Sequence, residues 1–291
     1  MKRIYTLVLA ALMTMSAMAQ EVQAERNQTY RIVLSNVQYA HHDEKLSTGD
    51  AIGKVLTGVL TGQTSVQASK YEEDVKNAII KGLAGAYRFI YDDSLIPLKK
   101  CNADNDVTID AQIMTIQAKS SRRTWKDKEK KTQVTTTYTA EIEVMLMLKG
   151  ARIGDIIANT TINGHGTTSS SYSTSDQAVR DALDKLSVRI TEWLNKFRPL
   201  QANIIEGSAA KKEKQKEVYI DLGSNEGAFA GLHMAVFMVK RVGGHEARTQ
   251  IGKLKIEAVE GDDISRCKIQ NGGKDIKSAI DAGQKLLVVS I

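Results

Sequence analysis

The chain has 291 residues, 42% hydrophobic and 25% charged, a balance that excludes a wholly disordered polypeptide. Its formal net charge is +6, and with 2 Cys it is not a disulfide-built scaffold. Beyond residue 19 no apolar run reaches the ~18 residues that a membrane-crossing helix needs, so none is predicted.

Lys2 and Arg3 precede a mostly apolar stretch, Ile4 to Met15, and Ala17-Met18-Ala19 supplies small residues before Gln20. This is the pattern of an export signal, 1–19, cleaved after Ala19. Removal leaves 272 residues, enough for two domains at about 100–200 residues each. No Cys stands at the junction, so no lipid-anchored form is expected. The expected location is the periplasm, with outer-membrane association left open. Export also implies an oxidising compartment, but Cys101 and Cys267 are read as two separate thiols, with pairing left open.

Tyr30–Val37 is rich in β-branched residues and predicts a first strand. A glycine-punctuated insertion follows at about 46–69, in which Gly49, Gly53, Gly58 and Gly62 interrupt Ile52, Val55, Leu56, Val59 and Leu60. It reads first as a weak amphipathic segment, because each interior glycine costs about 1 kcal/mol of helix stability relative to Ala. Contact of its small-residue face with a membrane or a second helix is the alternative. From Tyr71, Val75, Ile79, Gly82, Leu83, Ala86 and Ile90 recur at helical spacing behind acidic residues 72–74, predicting a helix that Asp92-Asp93-Ser94 breaks.

Asp106–Ala118 alternates Val107, Ile109, Ala111, Ile113 and Ile116 on one side, and Val134–Leu148 alternates again. Between them lies the basic segment 119–133. These runs predict an antiparallel hairpin with a charged, exposed tip, extended to a meander by Asp155–Asn163. Gly164 to Ser175 reads as a Ser/Thr/Gly loop. Thr174-x-x-Gln177 is a capping box for a second helix, whose stripe of Leu183, Leu186, Ile190, Leu194 and Phe197 ends before Pro199. Residues 201–216, with KKEKQKE, read as a linker. Short β-rich runs between Gly-bearing turns over 217–291 predict a small barrel or sandwich.

The expected fold class is therefore α+β, an antiparallel sheet packed with helices over 28–200, followed by a small all-β barrel-like domain. The helix EEDVKNAIIKGLAGAYRFI, the strand DVTIDAQIMTIQ, the run YTAEIEVMLMLKGARIGDIIANTTINGHG and the closing helix SDQAVRDALDKLSVRITEWL resemble the family of the curli secretion channel protein CsgG and the lipoprotein activators of penicillin-binding proteins. They also resemble the middle domain of the flagellar protein FlgT. The tail, with Gly223-Ser224-Asn225-Glu226-Gly227 and then Gly231, is similar to the carboxy-terminal domain of FlgT. The resemblance implies a cell-envelope protein that organises other macromolecules and catalyses nothing.

The residues themselves yield few candidates for chemistry. His41-His42-Asp43 is adjacent in sequence and lacks a helically spaced partner, so a solvated turn is expected rather than a metal site. His165, between two glycines, has no nucleophile motif beside it and reads as a loop residue. Gly223 to Gly227 lacks the Lys-Ser/Thr close of a phosphate loop, so Gly223, Gly227 and Gly231 are read as structural turn residues. Asp92-Asp93 and Asp262-Asp263 read as a helix break and a turn. No catalytic, metal or cofactor residues are proposed.

The surviving candidate site is the basic segment. It has seven cationic side chains against Asp127 and Glu129 and so carries most of the chain's excess charge, which argues against a nucleic-acid-binding face. Arg122, Arg123, Trp125, Lys126, Lys130 and Lys131 offer guanidinium forks and an aromatic face to an anionic partner. A solvated tip that blunts a sheet edge is the bland alternative. The expected function is envelope assembly or scaffolding through a protein partner or self-association. The alternative is a peptidoglycan- or lipopolysaccharide-binding module using the same segment.

Overall fold

The computed structural model describes residues 27–40, 71–95, 105–126, 128–129, 131–150, 154–169, 174–211 and 213–291. The expected export signal, His41-His42-Asp43, the glycine-rich insertion, Cys101, Asp127 and Lys130 lie outside the described residues. The chain divides into two compact units, Tyr30–Leu194 and Asn195–Ile291 with the residues up to Thr29.

The first unit is a five-stranded sheet with two helices. Its strands are β1 (Tyr30–Tyr39), β2 (Phe89–Tyr91), β3 (Asp106–Lys126), β4 (Thr132–Gly150) and β5 (Ile156–Ser169), in the order β2-β1-β3-β4-β5. Strand β1 runs parallel to both β2 and β3, while β3, β4 and β5 form an antiparallel meander. The sheet is thus mixed, which corrects the antiparallel expectation. The helix α1 (Glu72–Ala84) lies between β1 and β3 in sequence, and such a crossover is what parallel pairing requires.

The helical periodicity continues to Ile90, but α1 stops at Ala84. Phe89–Tyr91 instead pairs with Tyr30–Ile32, burying Phe89 and leaving Ile90 exposed on this edge strand. Aromatic and β-branched residues there take the sheet hydrogen bonds that a longer helix would have forgone.

In β3 the inward series Val107, Ile109, Ala111, Ile113 changes parity to Ile116 and Ala118, all buried. A register shift between Ile113 and Thr115 inserts Met114 as a bulge, which restores the apolar face on the far side of the slip. The opposing β4 residues Ala140, Ile142, Val144, Leu146 and Leu148 are buried without interruption.

Helix α2 (Ser175–Phe197) starts with the expected reciprocal cap: Thr174 N–H donates to Gln177 Oε1 (3.0 Å) and Gln177 N–H to Thr174 Oγ1 (3.3 Å). Its stripe of Val179, Leu183, Leu186, Ile190 and Leu194 is buried, whereas Phe197 is only half-buried. Residues Gly164–Ser169, expected as loop, continue β5 because α2 lies directly on them. A methyl group at Gly164 would overlap the Ala182 carbonyl, and one at Gly166 the Ala178 carbonyl. Helices α1 and α2 meet as closely: a methyl at Gly82 would come 2.7 Å from Ile190 Cβ, and Thr191 Oγ1 donates to Gly82 O at 2.8 Å.

The second unit is a closed six-stranded barrel in the order β10-β7-β6-β11-β8-β9. Its strands are β6 (Gln201–Lys211), β7 (Lys214–Ile220), β8 (His233–Val242), β9 (His245–Val259), β10 (Ser265–Asn271) and β11 (Leu286–Ser290). A short helix, α3 (Gly273–Asp281), precedes β11. The expected linker 201–216 is therefore wrong: it supplies β6 and the start of β7. Its described charged residues are exposed while Ala202 and Gln215 turn inward, and the Gln215 amide donates to Ala209 O and Glu217 O. A strand with so little apolar character is held by main-chain pairing and barrel closure, which leave no periodicity in the sequence.

Cys267 is a free, fully buried thiol in the barrel, and burial pushes its pKa up to about 12. It is held in the neutral form, the inert state of a cysteine.

Two outcomes test these packing arguments. Gly166→Ala is expected to cost roughly 1–3 kcal/mol in urea unfolding by overpacking the α2 contact, whereas Gly150→Ala, whose methyl would meet nothing nearer than 3.9 Å, changes stability little. A fragment 217–291, lacking β6 between β7 and β11, is expected to show no cooperative melting by circular dichroism; a cooperative transition would make β6 dispensable.

Candidate functional site

The expected antiparallel hairpin is present, but most of the basic segment lies in its strands, with Lys128 and Glu129 in the turn. The β3–β4 ladder runs unbroken from Thr115 opposite Glu143 to Lys126 opposite Thr132. Strand β1 leaves β3 at Ile113, and β5 leaves β4 at Thr137 opposite Ser169. The five pairs beyond that point, Arg122 with Thr136 through Lys126 with Thr132, form a two-stranded arm about 16 Å long. Threonine and β-branched residues at 132 and 134–137 suit such a ribbon.

Strand alternation places successive side chains on opposite faces. Because of the bulge at Met114, Arg122, Thr124 and Lys126 continue the series of buried Ile116 and Ala118. Lys119, Arg123 and Trp125 lie on the other face. The expected single cluster of Trp125 with Arg122, Arg123 and Lys126 is thereby divided: the arm presents cations on both faces, with Trp125 beside Arg123 on one. All these residues are exposed, Trp125 to 48%.

Arg122, Arg123 and Lys126 have no carboxylate partner among the described residues, whereas Lys131 is paired with Glu129 at 2.8 Å. Exposed and unpaired guanidinium groups remain available for a bidentate grip on carboxylate or phosphate. Sequence reasoning missed Lys119 as a member of the Arg123 and Trp125 face; period-two counting from the bulge is the signal that finds it.

The same sheet face carries polar pairs closer to its centre. Arg31 makes a bidentate contact with buried Asp106 (2.8 and 2.7 Å) and reaches Asp92 at 3.5 Å. Lys149 meets Asp110 at 2.5 Å, and Ser35 Oγ donates to the same carboxylate. Burial opposes ionisation of Asp110, but the hydrogen bonds from Lys149 and Ser35 and the lysine charge outweigh it and hold the carboxyl below its ordinary range. These are local clamps that pair opposite charges.

His165 sits in β5 rather than in a loop, exposed and opposite Glu141. Among the described residues no three His, Cys, Asp or Glu side chains converge on a metal position. Asp92 caps the turn at Ser94 (2.9 Å). In the barrel, Gly223 packs its backbone against Asp262 and Asp263, where a methyl would overlap main-chain atoms, and Glu226 accepts its N–H at 3.0 Å. Gly227 (φ 86) and Gly231 (φ 104) take the left-handed backbone that glycine favours.

No family model matches the chain, and no curated protein matches it. Among solved structures it is similar to a hemagglutinin homologue from Helicobacter pylori (12% identity, 59% of this chain and 83% of that one, TM-score 0.31). It is also similar to a minor lipoprotein from Acinetobacter baumannii (11% identity, 59% and 95%, TM-score 0.29). The PelC dodecamer from Paraburkholderia phytofirmans matches at 10% identity over 57% and 89%, with a TM-score of 0.25. Similarity this slight transfers no function.

The Asp110 clamp has a defined pH signature. Its depressed pKa contributes stability above the unfolded carboxyl value of about 3.9, and that contribution fades as pH falls through the folded value. Lys149→Gln is therefore expected to melt below the wild type at pH 7, with the difference shrinking toward zero as pH falls below the unfolded carboxyl value of about 3.9 in calorimetry.

Proposed function

We propose that the protein is an exported, non-enzymatic component of the cell envelope that assembles with a protein partner through the β3–β4 arm. The single observation that carries the reading is the arm itself: among the described residues, a two-stranded ribbon beyond the rest of its sheet, with exposed cations on each face that form no ion pair. A ribbon that buries none of its own unit's apolar core does little for that unit's stability. Its unpaired guanidinium groups suit an acidic surface, where complementary charge sets encounter rate and specificity. The leader-like residues 1–19 and the resemblance to envelope assembly proteins point the same way. Copies of the same chain or a different envelope protein satisfy this chemistry equally.

A second reading rests on one specific feature, the adjacency of Arg123 and Trp125 on one arm face. A flat aromatic beside a guanidinium suits a sugar ring bearing an anionic group, and would make the arm a peptidoglycan or lipopolysaccharide contact.

A photocrosslinking side chain placed at Thr124 separates these readings in intact cells. The assembly reading expects discrete protein adducts that disappear in an Arg122→Gln, Arg123→Gln, Lys126→Gln variant. The glycan reading expects no protein adduct but salt-sensitive co-sedimentation with isolated envelope polymer, lost in the same variant. Absence of both from a folded protein removes the arm as a contact element.

A further inference from the structure

The barrel carries a second grouping of cations in a setting unlike the arm. Lys255 of β9 and Lys268 of β10 stand directly opposite each other in the ladder, both pointing out of the barrel between buried neighbours Leu254, Ile256 and Cys267. Directly opposed residues hold their Cβ atoms about 5 Å apart, and like charges there destabilise the pairing. Neither ammonium has a carboxylate partner among the described residues.

Carboxylates are near, but they are committed elsewhere. Arg266, on the same strand as Lys268, holds Glu260 (2.7 Å), Glu257 (2.8 Å) and Glu217 (3.5 Å). Glu217 is the β7 residue opposite Lys268, so the nearest cross-strand acid is drawn toward the guanidinium. On the other side, His233 of β8 stands opposite Lys255 and shares a 3.1 Å hydrogen bond with Gln270. The result is a row across four strands, His233, Lys255, Lys268 and Glu217, whose two central members form no ion pair among the described residues.

The two lysines line a cleft of about 790 Å³, within the range of ligand sites. Its lining also includes Ile256, Ile269 and the carboxylate of Glu257, which Arg266 holds at 2.8 Å, and Ala230 and Gly231 form one wall. Gly231 sets that wall by donating its N–H to Ile256 O at 2.8 Å, and a side chain there would enter open space. The left-handed turn at Gly231 thus shapes the cleft beside the lysine pair.

We propose that this cleft binds a phosphomonoester group, with Lys255 and Lys268 as its two cationic contacts and Gln270 as a neutral hydrogen-bonding flank. A dianion between the two ammonium groups removes their mutual repulsion, and lysine binds phosphate as a point charge without demanding bidentate geometry. The site lies in the second unit and is independent of the arm.

Binding is read on the full chain by thermal shift with inorganic phosphate against chloride at equal ionic strength. Phosphate is expected to raise the wild-type midpoint beyond chloride. Lys255→Gln and Lys268→Gln are each expected to weaken phosphate binding about tenfold, and the double variant to abolish it. In phosphate-free buffer each variant is expected to melt no lower than the wild type, because it relieves the repulsion. Lys240→Gln, on β8 and away from the cleft, keeps the full response. A double variant that keeps the phosphate response overturns the proposal, as does a wild type that responds equally to both salts and is also silent toward vesicles of phosphatidic acid in phosphatidylcholine.

If a variant fails to fold, amide NMR of the wild type decides by whether phosphate moves the resonances of 255 and 268. Response to free phosphate marks a soluble source, and response only to vesicles of phosphatidic acid in phosphatidylcholine marks a lipid headgroup. Silence toward both overturns the site.

Discussion

The first unit depends on a seam without side chains, where α2 rests its backbone on β5. Gly164 and Gly166, two apart on a strand, face Ala178 and Ala182, four apart on a helix, and the carbonyls of both alanines occupy the space that methyl groups on the strand would need. This contact sets how closely the helix approaches the sheet, and therefore which α2 residues reach the core: Val179, Leu183, Leu186 and Ile190 are all fully or almost fully buried. The second close contact, Gly82 against Ile190, fixes α1 by the same means. Close packing of this kind has few alternative arrangements, because a shift of a fraction of an ångström forfeits dispersion contacts or creates overlap.

Around that rigid centre, charge is distributed unevenly. Arg31 with Asp92 and Asp106, Lys149 with Asp110, and Arg266 with three glutamates are groups in which opposite charges meet. Among the described residues, Arg122, Arg123 and Lys126 on the arm, and Lys255 with Lys268 on the barrel, are outside any such group. Matched charges hold strands in register, while unmatched ones at exposed positions are available to something other than this chain. Both functional proposals follow from that partition rather than from net charge, which a single +6 cannot resolve.

Much of the architecture was legible from residue patterns for physical reasons. The capping box at Thr174 and Gln177 is a short-range hydrogen-bond exchange, and the structure places both bonds there. The inward alternation of β3 and β4 reflects one buried face, while the bulge after Ile113 emerged only in the structure. Other features were hidden because their cause lies far away in sequence. Phe89–Tyr91 left the helical pattern for a partner at residues 30–32, and Gly164–Ser169 looked like loop because its glycines answer to a helix not yet formed. Residues 201–216 looked like linker because main-chain pairing, not apolar side chains, holds β6 in the barrel.

The basic candidate site shows the same division. Its residues, composition and exposure could be read directly, since seven cations in fifteen positions cannot be buried. Its form could not, because alternation across a bulge decides which face each side chain takes, and the points where β1 and β5 end decide how far the ribbon stands alone. Local chemistry along the chain thus determined the caps, the strand faces and the location of charge. The parallel pairing of β1, barrel closure through β6 and the meeting of Lys255 with Lys268 were decided only in three dimensions, because each joins segments whose interaction has no expression until the chain between them has folded.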